Sequence, residues 1–115
     1  MENLLEGMRV LDLTRVLAGP YASMILADLG AEVIKVELPE KGDESRDFGP
    51  FQNGESAYFA SVNRGKKSVT IDLRMEAGAQ LVRRLALECD VLIENFRPGS
   101  MARFGLDYER LHKEN

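Results

Sequence analysis

The chain has 115 residues, 44% hydrophobic and 30% charged, with a formal net charge of −4. That length supports one domain with a modest core, and the acidic balance argues against bulk attraction to nucleic acid or to an anionic membrane surface. A single cysteine, Cys89, excludes an internal disulfide, and with a single histidine, His112, argues against a Cys/His-ligated metal site, so no metal is expected and only carboxylate sites stay open.

The start, Met1 to Glu6, lacks the basic and apolar regions of a secretory leader, and no apolar run approaches the roughly 20 residues that cross a bilayer. A reducing, cytoplasmic setting is expected. The run at about 8–13, containing Arg-Val-Leu-Asp-Leu, reads as a first strand. Gly19-Pro20 follows, then a helix over Tyr21 to Leu29, with Pro20 in its first turn and Gly30 ending it. Glu32 to Glu37 is the second strand, which completes a right-handed βαβ unit. The polar stretch from Pro39 to Glu55 reads as a long surface loop, and loops of that length are usually functional. Ser56 to Val62 is a short helix whose Tyr58 and Phe59 are expected to pack onto the sheet.

Lys67 to Leu73 alternates and forms a third strand, and Met75 to Glu88 an amphipathic helix with Ala79, Leu81, Val82, Leu85, Ala86 and Cys89 facing inward. Asp90 to Glu94 is the fourth strand, the turn Arg97-Pro98-Gly99 leads to a short helix near Ser100 to Phe104, and Asp107 caps a last helix, Tyr108 to Lys113. Alternating strands and helices give an α/β fold, a mostly parallel sheet with helices on both faces. The whole of 1–115 reads as a single, incomplete domain, since four parallel strands with a polar end suggest a sheet meant to continue.

Ligands of such sheets bind beyond the strand carboxyl ends. Those ends are Thr14 to Pro20, Glu37 to Pro39, Leu73-Arg74 and Asn95 to Gly99, and they carry Arg15, Arg74 and Arg97, with Arg103 one turn further on. An acidic chain that gathers arginines there is equipped for an anion, although each arginine taken singly reads as solvated. A dinucleotide site finds an acid in Glu37 but only one glycine in the first turn, and Gly65-Lys66-Lys67-Ser68 misplaces every part of a P-loop. No NAD is therefore expected. Asp12, without a neighbouring acid, reads as structural. The basic turn Asn63 to Lys67 reads as solvated or as a subunit contact, Cys89 as buried packing and His112 as exposed.

Several ordered segments resemble a known family: Asp12 to Pro20, Ala27 to Glu37, Gly42-Asp43, Tyr58-Phe59, Val62 to Ser68, Ile71-Asp72-Leu73 and Asp90 to Gly99. Together they resemble the opening of the family III CoA-transferases, which move coenzyme A from an acyl-CoA to a carboxylic acid. The resemblance implies a Rossmann-like large domain that binds CoA and a homodimer of interlocked subunits, of which this chain would be a truncated half. It implies that Val16, Leu17 and Ala18 line the CoA site, with Arg15 near the thiol end. Leu38 would lie near the adenine or ribose, where some members carry an arginine. Ile71, Asp72, Leu73 and Arg74 would flank the nucleotide, Asn95, Phe96 and Arg97 would run along the CoA, and Arg103 would pair with a phosphate. It places the nucleophilic aspartate beyond Asn115, so no catalytic residue is assigned here and the chain alone is expected to be inactive. The related α-methylacyl-CoA racemases share the site and stay an alternative, as does a non-catalytic oligomerisation or binding module.

Overall fold

A computed structural model describes residues 3–115. Four parallel strands form the central sheet: β1 (Arg9–Asp12), β2 (Glu32–Glu37), β5 (Lys67–Thr70) and β6 (Val91–Ile93), in the order β5-β2-β1-β6. Numbered by their place in the chain these are third, second, first and fourth, the order of the first half of a doubly wound sheet. The register pairs Asp12 with Lys35 between β1 and β2, and Asp12 with Ile93 between β1 and β6.

Side-chain alternation divides the strands into two faces. Leu11, Leu13, Ile34, Val36 and Leu92 pack with Val82, Ala86 and Cys89 of helix α3 (Glu76–Leu87) and its end, and with Leu106 and Leu111 near helices α4 (Ser100–Arg103) and α5 (Tyr108–His112). Val10, Val33, Val91 and Ile93 pack on the other face with Leu26 and Ala27 of helix α1 (Ala18–Asp28). Helices thus cover both faces. On the α1 face the apolar pattern gives way toward the carboxyl ends to Asp12, Lys35 and Glu37, all buried.

Helix α1 starts at Ala18, three residues ahead of the expected start, and ends where Gly30 takes a φ of +105°. The strand expected over Lys67 to Leu73 stops at Thr70. The Ile71 N–H still reaches the Glu37 carbonyl (2.9 Å), but β2 ends there and the chain turns. Leu81 of α3 is 46% exposed rather than inward-facing. Asp107 stands at the N-cap of α5 but makes no side-chain capping bond; its carboxylate lies 3.4 Å from the Arg110 guanidinium.

The segment expected as a bare surface loop is structured. A 3₁₀ turn (Glu44–Asp47) leads to the hairpin β3 (Phe51–Gln52) and β4 (Glu55–Ser56), whose two connecting residues, Asn53 and Gly54, have φ of +53° and +80°, as the favoured two-residue hairpin turn requires. Helix α2 (Ala57–Asn63) follows, with the Ser56 hydroxyl accepting the Phe59 N–H (3.0 Å). Tyr58 and Phe59 pack on this segment and not on the sheet: Tyr58 meets Phe48 edge to face, and Phe59 lies beneath the Arg46 guanidinium at 3.8 Å. Among the described residues, no helix is long and apolar enough to cross a membrane, and no group of three or more His, Cys, Asp or Glu is placed to hold a metal ion.

Candidate functional site

A cavity of about 460 Å³ opens at the carboxyl ends of the sheet. Every strand of the central sheet contributes to it: Leu13, Thr14 and Arg15 after β1, Val36, Glu37 and Leu38 at the end of β2, Ile71, Leu73 and Arg74 after β5, and Phe96 and Arg97 after β6. Gly42 and Asp43 close one side, and Ser100, Arg103 and Phe104 the other. A larger hollow, about 680 Å³, runs along β6, but its charged rim consists of Asp90, Glu94 and Asp107, the wrong sign for an anionic ligand.

The first cavity has an apolar floor and a cationic rim. The Arg15 guanidinium lies 5.4 Å above the Phe96 ring and is paired with Glu44 (2.9 Å). Arg74 is held by Asp72 (3.0 Å), which also accepts the Arg74 N–H. Among the described residues Arg97 has no carboxylate within 4.0 Å, and Arg103 reaches only the Ser100 hydroxyl (3.2 Å). Two exposed guanidiniums without an internal counter-charge leave the rim able to take a phosphate through charge-assisted hydrogen bonds.

Beneath the rim lies a buried charged network. Asp12 Oδ1 accepts the Thr14 N–H (2.8 Å) and hydroxyl, Asp12 Oδ2 accepts the Ser23 hydroxyl (2.6 Å), and the same oxygen is 3.0 Å from Lys66 Nζ. Lys66 also donates to the Pro20 carbonyl (3.0 Å) and to Asn63 Oδ1 (2.8 Å). The basic turn is therefore not simply solvated: Lys66 points inward because the α1 face offers it a buried carboxylate, and burial pulls its ammonium below the usual lysine range. Arg64 and Lys67 do point outward, to Asp28 and Glu32.

Glu37 is spent within the fold. Its Oε1 accepts the Asp43 N–H and Arg46 Nε (both 2.8 Å), and its Oε2 accepts Arg46 Nη2 (2.8 Å) and the Ser68 hydroxyl. Burial pushes this carboxyl up, but Arg46, Ser68 and the Asp43 N–H outweigh it and hold it at about 2. The acid that a dinucleotide site would turn toward a ribose has no free lone pair for one.

The loop after β1 is gripped at successive backbone groups. Lys35 Nζ donates to the Thr14 carbonyl (2.9 Å) and pairs with Asp43 (2.9 Å). Asn95 accepts the Arg15 N–H (3.1 Å) and donates to the Arg15 carbonyl (2.9 Å). Both Asp43 oxygens accept the Val16 N–H (3.1 and 3.3 Å). Val16 has a φ of +75°, a left-handed conformation that costs a β-branched residue about 1–3 kcal/mol and persists only where the surroundings dictate it.

Arg15, Leu38, Ile71, Leu73, Arg74, Phe96, Arg97 and Arg103, all singled out from sequence, line the cavity together. Asp72 and Asn95 stand behind it, orienting Arg74 and the Arg15 backbone. Val16 adjoins it through Asp43. Leu17 and Ala18 open α1 and are exposed, and Leu17 continues into an outward apolar stripe with Tyr21 and Ile25. Sequence reasoning left out Lys35, Asp43 and Lys66. Their signals were faint but present: Asp43-x-Ser45 is a local turn pattern, with the Asp43 carboxylate accepting the Ser45 N–H (2.9 Å) and hydroxyl (2.8 Å), and Lys35 shares its strand face with the oppositely charged Glu37.

The family model for CoA-transferase family III matches residues 5–115. The chain belongs to CoA-transferase family III. Among curated relatives it is 56% identical over 110 residues to a succinyl-CoA:glutarate CoA-transferase of Mus musculus, covering 95% of this chain and 25% of that protein. It is 50% identical over 118 residues to a succinate–glutarate CoA-transferase of Agrobacterium fabrum, covering 96% and 30%. Among solved structures, a CAIB/BAIF family protein from Brucella suis superposes with a TM-score of 0.92 at 50% identity, covering all of this chain and 32% of that one. The chain thus spans about a quarter to a third of the length of the relatives it matches. Within the family III region that it does span, the strand-end cavity, the Lys35–Asp43 pair and the gripped β1–α1 loop form one continuous structure.

Proposed function

We propose that this chain supplies the coenzyme-A-binding part of an acyl-CoA:carboxylate CoA-transferase. One observation carries the reading: loops from all four strands converge on a cavity whose floor is apolar and whose rim carries Arg15, Arg74, Arg97 and Arg103. Arg97 and Arg103 bind phosphate, Ile71, Leu73 and Arg74 flank the nucleotide, and Leu38 contributes an apolar edge near the base. Phe96 and the Asn95-held loop guide the pantetheine arm toward Arg15. Val16 adjoins the thiol end through its bond to Asp43, while Leu17 and Ala18 are exposed at the start of α1, outside the cavity lining. The donor class follows the two relatives, whose names pair succinate with glutarate.

The carboxylate that attacks the acyl-CoA carbonyl belongs to a later part of the parent enzyme. Asp12 and Asp43 are unsuited to that role, since both are buried and saturated with internal partners. The parent acts as a homodimer, and the exposed apolar stripe Leu17, Tyr21 and Ile25 suits a covered surface.

Calorimetric titration of the chain with coenzyme A, dephospho-CoA and NAD tests the binding claim. Coenzyme A binds best, more weakly at high salt, and NAD does not compete. Preferential NAD binding, or no CoA binding by a folded chain, refutes it. Incubation with succinyl-CoA and glutarate gives no transfer, and measurable turnover refutes the assignment of the nucleophile to another segment.

A further inference from the structure

We propose that Asp43, with Lys35, is a positioning residue for this pocket: the buried pair fixes the backbone on both sides of Arg15 and holds Val16 in its left-handed conformation. The inference rests on the CoA-binding reading above. The two side chains are buried, with exposures of 2% for Lys35 and 0% for Asp43. One ammonium and one carboxylate, 2.9 Å apart, take neighbouring groups of the same loop: Lys35 holds the Thr14 carbonyl, and Asp43 holds the Val16 N–H. Arg15 sits between those two grips. Its direction over Phe96 and into the cavity follows from the peptide planes on either side of it.

A buried ion pair is a poor means of raising stability, because the desolvation of both charges offsets their attraction. Its value lies in directional bonds that an apolar pair does not make. Here those bonds go to a backbone that Val16 would not adopt unaided, with a φ of +75°. Asp43 is itself held by its N–H on Glu37 (2.8 Å) and by the turn to Ser45. The clamp is therefore anchored to β2 at two points, Lys35 and Glu37, and reaches across to the loop after β1.

The test is a cycle between positions 43 and 16. Asp43→Asn weakens coenzyme A binding to the chain about tenfold, the scale of one lost charge-assisted contact. In a Val16→Gly background the same change costs less than about threefold, because glycine takes positive φ without help. A role confined to general stability gives equal losses in both backgrounds, and that result overturns the proposal. If Asp43→Asn does not fold, Lys35→Met with Asp43→Asn removes both charges together. That chain folds and binds coenzyme A at least about tenfold more weakly, and wild-type affinity overturns the proposal. Amide hydrogen exchange supplies a readout independent of any ligand. The Val16 N–H is protected in the wild type and loses protection in Asp43→Asn. Unchanged protection refutes the clamp, whereas protection lost in a chain whose wild type does not bind coenzyme A refutes the binding reading alone.

Discussion

Glu37→Gln separates the network's electrostatics from its shape. The carboxylate accepts from the Asp43 N–H, from two nitrogens of Arg46 and from Ser68. Glutamine keeps an oxygen for the Asp43 N–H and Arg46 Nε, but its amide faces Arg46 Nη2 donor to donor. The folded carboxyl sits at about 2 against an ordinary value of 4.5, and at about 1.4 kcal/mol for each tenfold the difference corresponds to about 3 kcal/mol at neutral pH. The folded value is depressed, so this stability is fully present above about pH 5 and is lost as pH falls toward 2. At pH 3 about 1.4 kcal/mol of it is left. Urea unfolding followed by circular dichroism, on wild type and variant at pH 7 and pH 3, reads the difference directly. The expected gap is about 3 kcal/mol at pH 7, a drop in midpoint temperature of roughly 10 °C, shrinking by half or more at pH 3. A gap that stays constant with pH, or one below about 1 kcal/mol at pH 7, refutes the claim that the ionised form is what the fold uses.

Two further predictions address the rim and the second buried lysine. Arg97→Ala and Arg103→Ala each weaken coenzyme A binding by about tenfold and lessen its salt dependence, while thermal midpoints hold, because both side chains are exposed; unchanged affinity in either variant removes that arginine from the site. Lys66→Met leaves the Asp12 carboxylate buried without its cation and destabilises the chain by about 3 kcal/mol in urea unfolding, with the double change Asp12→Asn, Lys66→Met recovering part of the loss.

Much of the architecture was legible because it rests on local patterns. Strand alternation, the Pro20 and Gly30 punctuation and the amphipathic α3 mark the βαβ order within a few residues at each boundary. The arginine rim followed from that order, since the residues after each strand in a parallel sheet share one end. The errors fell where a charge has a distant partner. Lys66 and Asp43 sit in segments whose composition reads as solvated, yet each meets its counter-charge across the sheet face, 54 residues away for Lys66–Asp12 (66 − 12) and 8 for Asp43–Lys35 (43 − 35). The Asn53-Gly54 hairpin was a different kind of miss, since its turn signal is local and was available.

The buried charges and the strained loop have one physical explanation. A parallel sheet covered by helices favours apolar side chains on both faces, and Val10, Val33, Val91 and Ile93 conform on the α1 face. Replacement of that pattern by Asp12, Lys35 and Glu37 near the carboxyl ends works against stability unless every charge is matched, and each is matched. What the charges grip decides between a role in stability and one in shape. Asp12 fixes Thr14, Lys35 the Thr14 carbonyl, and Asp43 the Val16 N–H. Three donors to Glu37, the Asp43 N–H and two Arg46 nitrogens, tie the 39–55 segment to β2 beneath Asp43, and the Ser68 hydroxyl ties β5 to the same carboxylate. All of these bonds terminate on the cavity wall or on its direct support, and the α3 face, which takes only the Leu13 side chain from the segment after β1, is built from apolar side chains. The polar half of the α1 face therefore acts as the foundation of the site, and its variants should alter the geometry of binding before they alter the fold.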